Sequence, residues 1–341
     1  MASLKTHLAV EMTGLNRQEP WEACRLGRRP TPSPGPLEVL VRVLCAPINP
    51  SNVLVLQGLY PWRPKEYPCV QGFEGMGVIE QIGEDVHNVS VGQRVIASSG
   101  DADQTGQGLW QEFIVVPAMR VIPVPDFIPN EVAAQFSVNP WCVIGMFRTL
   151  ATPKEEYILQ TAAASVLGRM FIQYAHHQGV KTINLVRRKE QIEELKALGA
   201  DEVININEGD VVARVREITG GRMAYGAIDC VGGELTKVVV ESVRDRGTVL
   251  IYGLLAGTNL KGGILDFIFR GVKLEGFYVG LWLSSFSPEQ FQELVSHTMS
   301  LLGQKVINPL IGQKFKFQDF KNAIKKSLEP QHGGKVLLVS E

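Results

Sequence analysis

The sequence predicts an α/β protein with two domains, and three observations carry that expectation. Residues 158–186 read as a strand, a turn of tiny side chains, a helix and a second strand. From there strand-like and helix-like stretches alternate as far as residue 302, which predicts a doubly wound parallel sheet covered on both faces. The first 124 residues differ: short strand-like runs are separated by glycine and proline, the pattern of a β-rich, barrel-like domain. A chain of 341 residues can give each domain its own core. The expected layout inserts one domain, 125–303, between residues 1–124 and 304–341, which together form the other.

In chain order, residues 1–37 hold a short strand and the stretch Thr31-Pro32-Ser33-Pro34-Gly35-Pro36. That stretch is a turn, since proline fixes φ and removes donors. Residues 38–46 alternate and form a strand. A short helix is expected at 53–57 after Asn49-Pro50-Ser51, then a loop at 58–68 carrying Tyr60, Trp62 and Tyr67. Strands follow at 78–82, 94–97 and 113–116, with 91–93 as a turn. Composition changes after Pro129, with helical stretches at 130–135 and 139–150. The strand at 158–160 leads into the small-residue turn. Gly168 then opens a helical pattern with Met170, Phe171, Tyr174 and Ala175 on its apolar side, and Gly179 stops it. Strands at 182–186, 202–205, 225–231, 247–252 and 273–279 alternate with helices at 190–198, 211–218, 236–243 and 288–302. A helix at 317–327 and a strand at 335–339 close the chain.

Charge is balanced, 34 basic against 35 acidic residues, so nothing electrostatic points to nucleic acid or an anionic membrane as a partner. Cys24, Cys45, Cys69, Cys142 and Cys230 are scattered, odd in number and form no CxxC pair. That usage suggests a reducing compartment, and the cytoplasm is the expected location. The first residues, Met1-Ala2-Ser3-Leu4-Lys5, lack the apolar core of a secretion signal. No apolar run reaches the roughly 18 residues that a membrane helix needs.

In the turn after the first parallel strand, Ala163, Ser165 and Gly168 occupy the positions of a GxGxxG pattern. A dinucleotide fold needs small side chains there, so that a pyrophosphate can reach amides at the helix start. Ala163, Ser165, Val166, Leu167 and Gly168 are therefore candidate cofactor residues, alongside the bland alternative of an ordinary parallel-sheet crossover. The next strand ends in Arg187-Arg188, about twenty residues on, where an NAD-binding unit places an acid. Arginine suits a 2′-phosphate by charge and by its planar fork of donors, so NADPH is expected over NADH. The other reading is a solvated basic patch with Lys189. Gly232 and Gly253, at later strand ends, allow close backbone approach to a cofactor.

Metal catalysis is not expected. His176 and His177 are adjacent on one helix and diverge, and His7, His87, His297 and His332 are isolated. Ser165 lacks the GxSxG elbow of a hydrolase, and no histidine stands at a plausible strand end to join Asp229 in a triad. Redox chemistry is left, with the cofactor supplying hydride and the protein supplying orientation and a proton route. Tyr60 is the candidate proton donor: a phenol, of reference pKa about 10, placed in a loop after a short helix. An aromatic pocket wall shared with Trp62 and Tyr67 is the equal alternative.

These motifs resemble the zinc-free medium-chain dehydrogenases/reductases, in the branch of the quinone reductases and mitochondrial-type 2-enoyl thioester reductases. The resemblance covers nearly the whole chain. Its most specific pieces are Asn49-Pro50-Ser51 with Gln57-Gly58-Leu59-Tyr60, the run from Gly72 to Val78, and Val138-Asn139-Pro140. The runs 182–188, 197–203 and 276–282 add to it. It implies a GroES-like catalytic domain and a Rossmann-type NADPH-binding domain. It also implies Tyr60 as proton donor, Asn139 by the nicotinamide, Arg187 and Arg188 at the 2′-phosphate, and Phe277 and Trp282 near an acyl channel. Asn49, Tyr60, Trp62, Cys142, Phe277 and Trp282 are the expected substrate pocket. Two departures stand out. Val166 replaces a usual glycine of the turn, and Cys142-Val143 replaces a usual Thr-Ala pair.

The expected activity is NADPH-dependent reduction of a carbon–carbon double bond conjugated to a carbonyl, with a 2-enoyl thioester favoured. Quinone reduction is the alternative enzymatic reading, and a non-catalytic NADPH-binding protein the third. The strand at 273–279, near the edge of the inserted sheet, and the family's habit of pairing such edges make a homodimer the expected assembly.

Overall fold

In the computed structural model, residues 6–61, 63–99, 106–330 and 333–340 are described. Two compact units emerge: residues 1–138 with 309–341, and residues 139–308. The division falls later than the sequence-based boundaries at 124/125 and 303/304. Hydrogen bonding gives the reason. Arg94 donates to the Ile128 carbonyl and to Asn130 Oδ1, each at 2.7 Å. Glu74 accepts the N–H groups of Ser137 and Val138, each at 2.9 Å. Residues 125–138 are thereby tied to the first unit. At the other junction Asn308 donates to Gln173 at 3.0 Å, which holds residues 304–308 in the second.

The first unit is β-rich and antiparallel apart from the parallel pair of its last two strands. β1 (Thr6–Met12) sits between β2 (Cys24–Pro30) and β4 (Cys69–Val70). A larger sheet runs β15 (Ile311–Lys316), β16 (Lys335–Val339), β3 (Glu38–Pro47), β5 (Glu74–Ile82), β6 (Arg94–Ser98) and β8 (Ile122–Pro123), with β7 (Phe113–Pro117) also paired to β3. β3 alternates in the sequence and is buried along most of its length. Its end is pinned by the fully buried Trp110, whose indole N–H donates to the Pro47 carbonyl at 3.2 Å. The sequence did not reveal β2 or β15. Both are sheet edges, charged and half exposed, so neither shows apolar alternation; lysine and arginine on such edges discourage pairing with other chains.

The second unit is one parallel sheet, in the order β11 (Glu202–Asn205), β10 (Lys181–Val186), β9 (Tyr157–Gln160), β12 (Ala224–Asp229), β13 (Val243–Ile251), β14 (Lys273–Gly276). The chain leaves β9 in one direction through β10 and β11, then resumes on the other side at β12. The order reverses between β9 and β12. In open α/β sheets ligands bind outside the carboxyl ends of the strands at such a switch point.

One predicted strand is shorter than expected. The apolar run at 273–279 keeps strand pairing only over Lys273–Gly276. β13, its partner, ends at Ile251, and the Phe277 N–H donates to that residue's carbonyl at 2.8 Å. The chain then turns into a helix, Val279–Leu283. The apolar pattern of those residues serves side-chain packing and not a ladder.

Candidate active site

The switch point is built from named hydrogen bonds. Thr161, at the end of β9, donates its hydroxyl to Asp229 at 2.8 Å and accepts the Cys230 N–H at 3.1 Å. The Asp229 carboxylate, fully buried at the end of β12, also accepts Thr236 Oγ1 at 2.8 Å and the Val231 N–H at 2.8 Å. Its capacity is spent on holding the two strand ends and the next helix together. This is a structural acid, with no part left for a hydrolytic triad.

The turn that follows β9 bends through Ala162, which has a left-handed φ of 46°. The helix Val166–Gln178 begins with Ser165 as its cap, the hydroxyl accepting the Gly168 N–H at 3.1 Å. A Cβ on Gly168 would lie 2.5 Å from the Ala163 carbonyl oxygen. The glycine is therefore required for close seating of helix on turn, one of the roles glycine has in a dinucleotide motif. The N–H groups of Val166 and Leu167, in the first helical turn, have no acceptor inside the helix. Together with the positive end of the helix they suit an anion. Val166, in place of the usual glycine, is buried.

Arg187 and Arg188 directly follow β10. Arg187 is exposed and Arg188 half exposed, and the Arg187 carbonyl is fixed by Asn207 Nδ2 at 2.8 Å. Gly232 has φ 75° and Gly233 φ 62°; a side chain would strain the loop after β12 there. A Cβ on Gly253 would lie 2.8 Å from Cys230, so this glycine lets the ends of β12 and β13 approach. The turn, the two arginines and these glycines form a set that fits a 2′-phosphorylated dinucleotide.

Asn139 opens the helix Asn139–Leu150 and is buried, and Cys142, one turn on, is half exposed. Burial holds the Tyr252 phenol well above its usual range, with Cys230 and then Cys142 adding to the shift. Burial pushes the Cys230 thiol up to about 11, so it stays protonated at neutral pH. Phe277 and Trp282 pack with ring centroids 6.3 Å apart, and Trp282 meets Phe286 edge-on at 4.6 Å. The sequence reading missed Gly145. A Cβ there would lie 2.5 Å from the Phe277 ring and 3.0 Å from Trp282. A glycine inside an otherwise helical stretch was the available signal.

In the first unit Tyr60 is half buried against the core and packs on Phe73 at 5.8 Å. Its N–H donates to the Leu54 carbonyl at 3.3 Å, which hooks it to the helix Pro50–Leu56. Trp62 lies outside the described residues. Asn49, expected to line the pocket, is 1 % exposed, and its amide is engaged on every side. It caps that helix in a reciprocal box with Asn52, donates to Glu74 at 2.9 Å and accepts from Lys335 Nζ at 2.6 Å. Among the described residues no three His, Cys, Asp or Glu side chains are grouped so as to hold a metal ion, and no helix is long and apolar enough to cross a membrane.

The alcohol dehydrogenase GroES-like domain model matches residues 35–126, and the zinc-binding dehydrogenase model matches residues 166–300. The human enoyl-[acyl-carrier-protein] reductase, mitochondrial, is 30% identical over 309 residues, 88% of this chain and 80% of that protein. A Bacillus thuringiensis structure described as a candidate NADPH:quinone reductase aligns over 99% of this chain and 100% of its own, at 28% identity and TM-score 0.90. The ETR1P complex with NADP and crotonyl-CoA shares the fold at TM-score 0.87 and 21% identity, over 98% of this chain and 100% of that one. Fold and site together define an oxidoreductase with a GroES-like domain and a Rossmann-type domain. The chain belongs to the zinc-free branch of the medium-chain dehydrogenase/reductase superfamily, with the enoyl and quinone reductases.

Proposed function

We propose that this enzyme uses NADPH to reduce the carbon–carbon double bond of an α,β-unsaturated carbonyl compound, with a 2-enoyl thioester as its substrate. The observation that carries the cofactor is the switch-point turn, where Ser165 and Gly168 shape the helix start and Arg187 and Arg188 end the neighbouring strand. The substrate class rests on Tyr60 in its Gln57-Gly58-Leu59-Tyr60 setting, on the pairing of Phe277 with Trp282 and on the enoyl reductase relatives. Bound NADPH supplies a hydride for the β carbon. The residues of this chain orient the two reactants, with Asn139 and Cys142 on the nicotinamide side and Phe277 and Trp282 along the acyl chain. Backbone donors stabilise the developing enolate oxygen, and Tyr60 Oη delivers a proton to the α carbon. A quinone shares the hydride step and needs no acid at the α carbon, which keeps it as the second reading on the strength of the structural neighbours. Steady-state rates on a crotonyl thioester, a free enone and a quinone test the choice. The thioester is expected to have the highest kcat/KM, and a higher value for the quinone overturns the assignment.

The proposed assembly is a homodimer. β14 ends the six-stranded sheet with all four residues exposed. Ile264, Ile268, Phe269 and Leu281, in neighbouring stretches of the chain, are also exposed, each by more than 60 %. A bare edge of this kind invites a second strand, and large apolar exposure marks interaction surfaces. Light scattering at low micromolar concentration is expected to give about twice the 37.6 kDa chain mass. A monomer at that concentration overturns the assignment. All five cysteines are free, which favours a reducing compartment and supports the cytoplasm as the location; the human relative is by name mitochondrial.

A further inference from the structure

Within the first unit, a lysine, an asparagine and a glutamate form a buried polar cluster. Lys335, first residue of β16, is 4 % exposed, Glu74, first residue of β5, is 1 % exposed, and Asn49 lies between them. Lys335 Nζ donates to Asn49 Oδ1 at 2.6 Å, and Asn49 Nδ2 donates to Glu74 Oε1 at 2.9 Å. The other carboxylate oxygen accepts Ser137 Oγ at 3.0 Å and the N–H groups of Ser137 and Val138 at 2.9 Å. A cation and an anion are thus joined through one amide, and their burial makes a loss of partners costly. A packed apolar trio would fill such a space at lower cost in desolvation. What the polar trio adds is direction: each bond fixes which way the Asn49 amide faces.

That amide has a second task. Asn49 caps the helix Pro50–Leu56 in the reciprocal box with Asn52, whose Oδ1 accepts the Asn49 N–H at 3.0 Å. With seven residues the helix is too short to hold itself in water, so its orientation depends on what grips its ends. At its far end the carbonyl of Leu54 accepts the N–H groups of Leu59 and Tyr60. A continuous series of hydrogen bonds therefore runs from Lys335 and Glu74 through Asn49 and the helix to the backbone of Tyr60.

We propose that Lys335 and Glu74 are positioning residues: through the Asn49 amide they set the place of the Tyr60 phenol for proton delivery. The inference rests on the reading of Tyr60 as the acid. It gives the C-terminal strand, which follows the second unit in the chain and pairs with β3, a catalytic consequence. Displacing an acid by about 1 Å can cost on the order of 10²-fold in rate.

The test is a double-mutant cycle of Lys335→Met with Tyr60→Phe, read as single-turnover NADPH oxidation on a crotonyl thioester at saturating substrate. NADPH affinity and melting temperature are measured beside it. Lys335→Met is expected to lower the single-turnover rate about 10- to 100-fold with NADPH affinity retained, and to lower it little further in the Tyr60→Phe background. Lys335→Arg, which keeps the charge, should recover part of the loss. Equal losses from Lys335→Met in the wild-type and Tyr60→Phe backgrounds overturn the proposal, as does a full rate in folded Lys335→Met protein. Failure of the Tyr60 reading shows differently, as an unchanged rate in Tyr60→Phe alone. If Lys335→Met does not fold, Glu74→Gln, which acts on the other side of the same amide, enters the same cycle with the same two outcomes.

Discussion

Alanine at both Arg187 and Arg188 is expected to weaken NADPH binding by at least tenfold and to leave NADH binding nearly unchanged. A hydrogen bond to a charged group is worth about 1.5–3 kcal/mol, and about 1.4 kcal/mol is a factor of ten in affinity. One arginine on the 2′-phosphate thus accounts for roughly 10- to 150-fold, and a second adds to it. Both guanidiniums stand past the end of β10. Neither is in an ion pair among the described residues, so neither is committed to structure. The Arg187 backbone is held by Asn207 independently of its side chain, and truncation should therefore leave the loop in place. Titration of both cofactors against wild type and the double variant checks this. Equal affinity of the wild type for NADH and NADPH would return the arginines to a solvated basic patch.

The sequence made the second unit legible because parallel strands are buried on both faces and read as continuous apolar runs. The strands at 202–205 and 335–339 and the helix at 211–218 have the extents expected. The Gly179 stop is a left-handed cap, with φ 74°. Legibility fell where tertiary context outweighs pattern. β2 and β15 are polar edges, and the aromatic run after Gly276 turns helical once β13 is no longer alongside.

The candidate site divides in the same way. The proposed cofactor residues at 163–168 and 187–188 are local in sequence, because one strand–turn–helix–strand unit carries them, and spacing alone brings them forward. The Lys335–Asn49–Glu74 relay joins positions 49, 74 and 335, and no local pattern announces such a cluster. A lysine at the head of an apolar strand reads as a solvated end until β16 is placed beside β3. Asn49 shows the same limit from the other side. Its motif position suggested a pocket wall, and three partners bury it in the framework.

Replacing Tyr60 with phenylalanine is expected to lower the single-turnover rate on an enoyl thioester by about 10²–10⁴-fold, the usual contribution of a positioned general acid. The substitution removes one hydroxyl and keeps the ring. The contact with Phe73 at 5.8 Å and the backbone bond to Leu54 are made by atoms that phenylalanine also has. Folding and NADPH affinity are measured beside the rate, and the loss is expected to fall on kcat. Quinone reduction, where the enzyme shows it, should fall much less, because a reduced quinone takes its protons from water. Single-turnover measurement is required, since slow product release can hide a damaged chemical step in kcat. A variant that keeps its single-turnover rate on every substrate while KM rises would make Tyr60 a wall of the pocket. Uniform binding would then be what the hydroxyl contributes, the proton would have to come from elsewhere, and the weight would pass to quinone reduction.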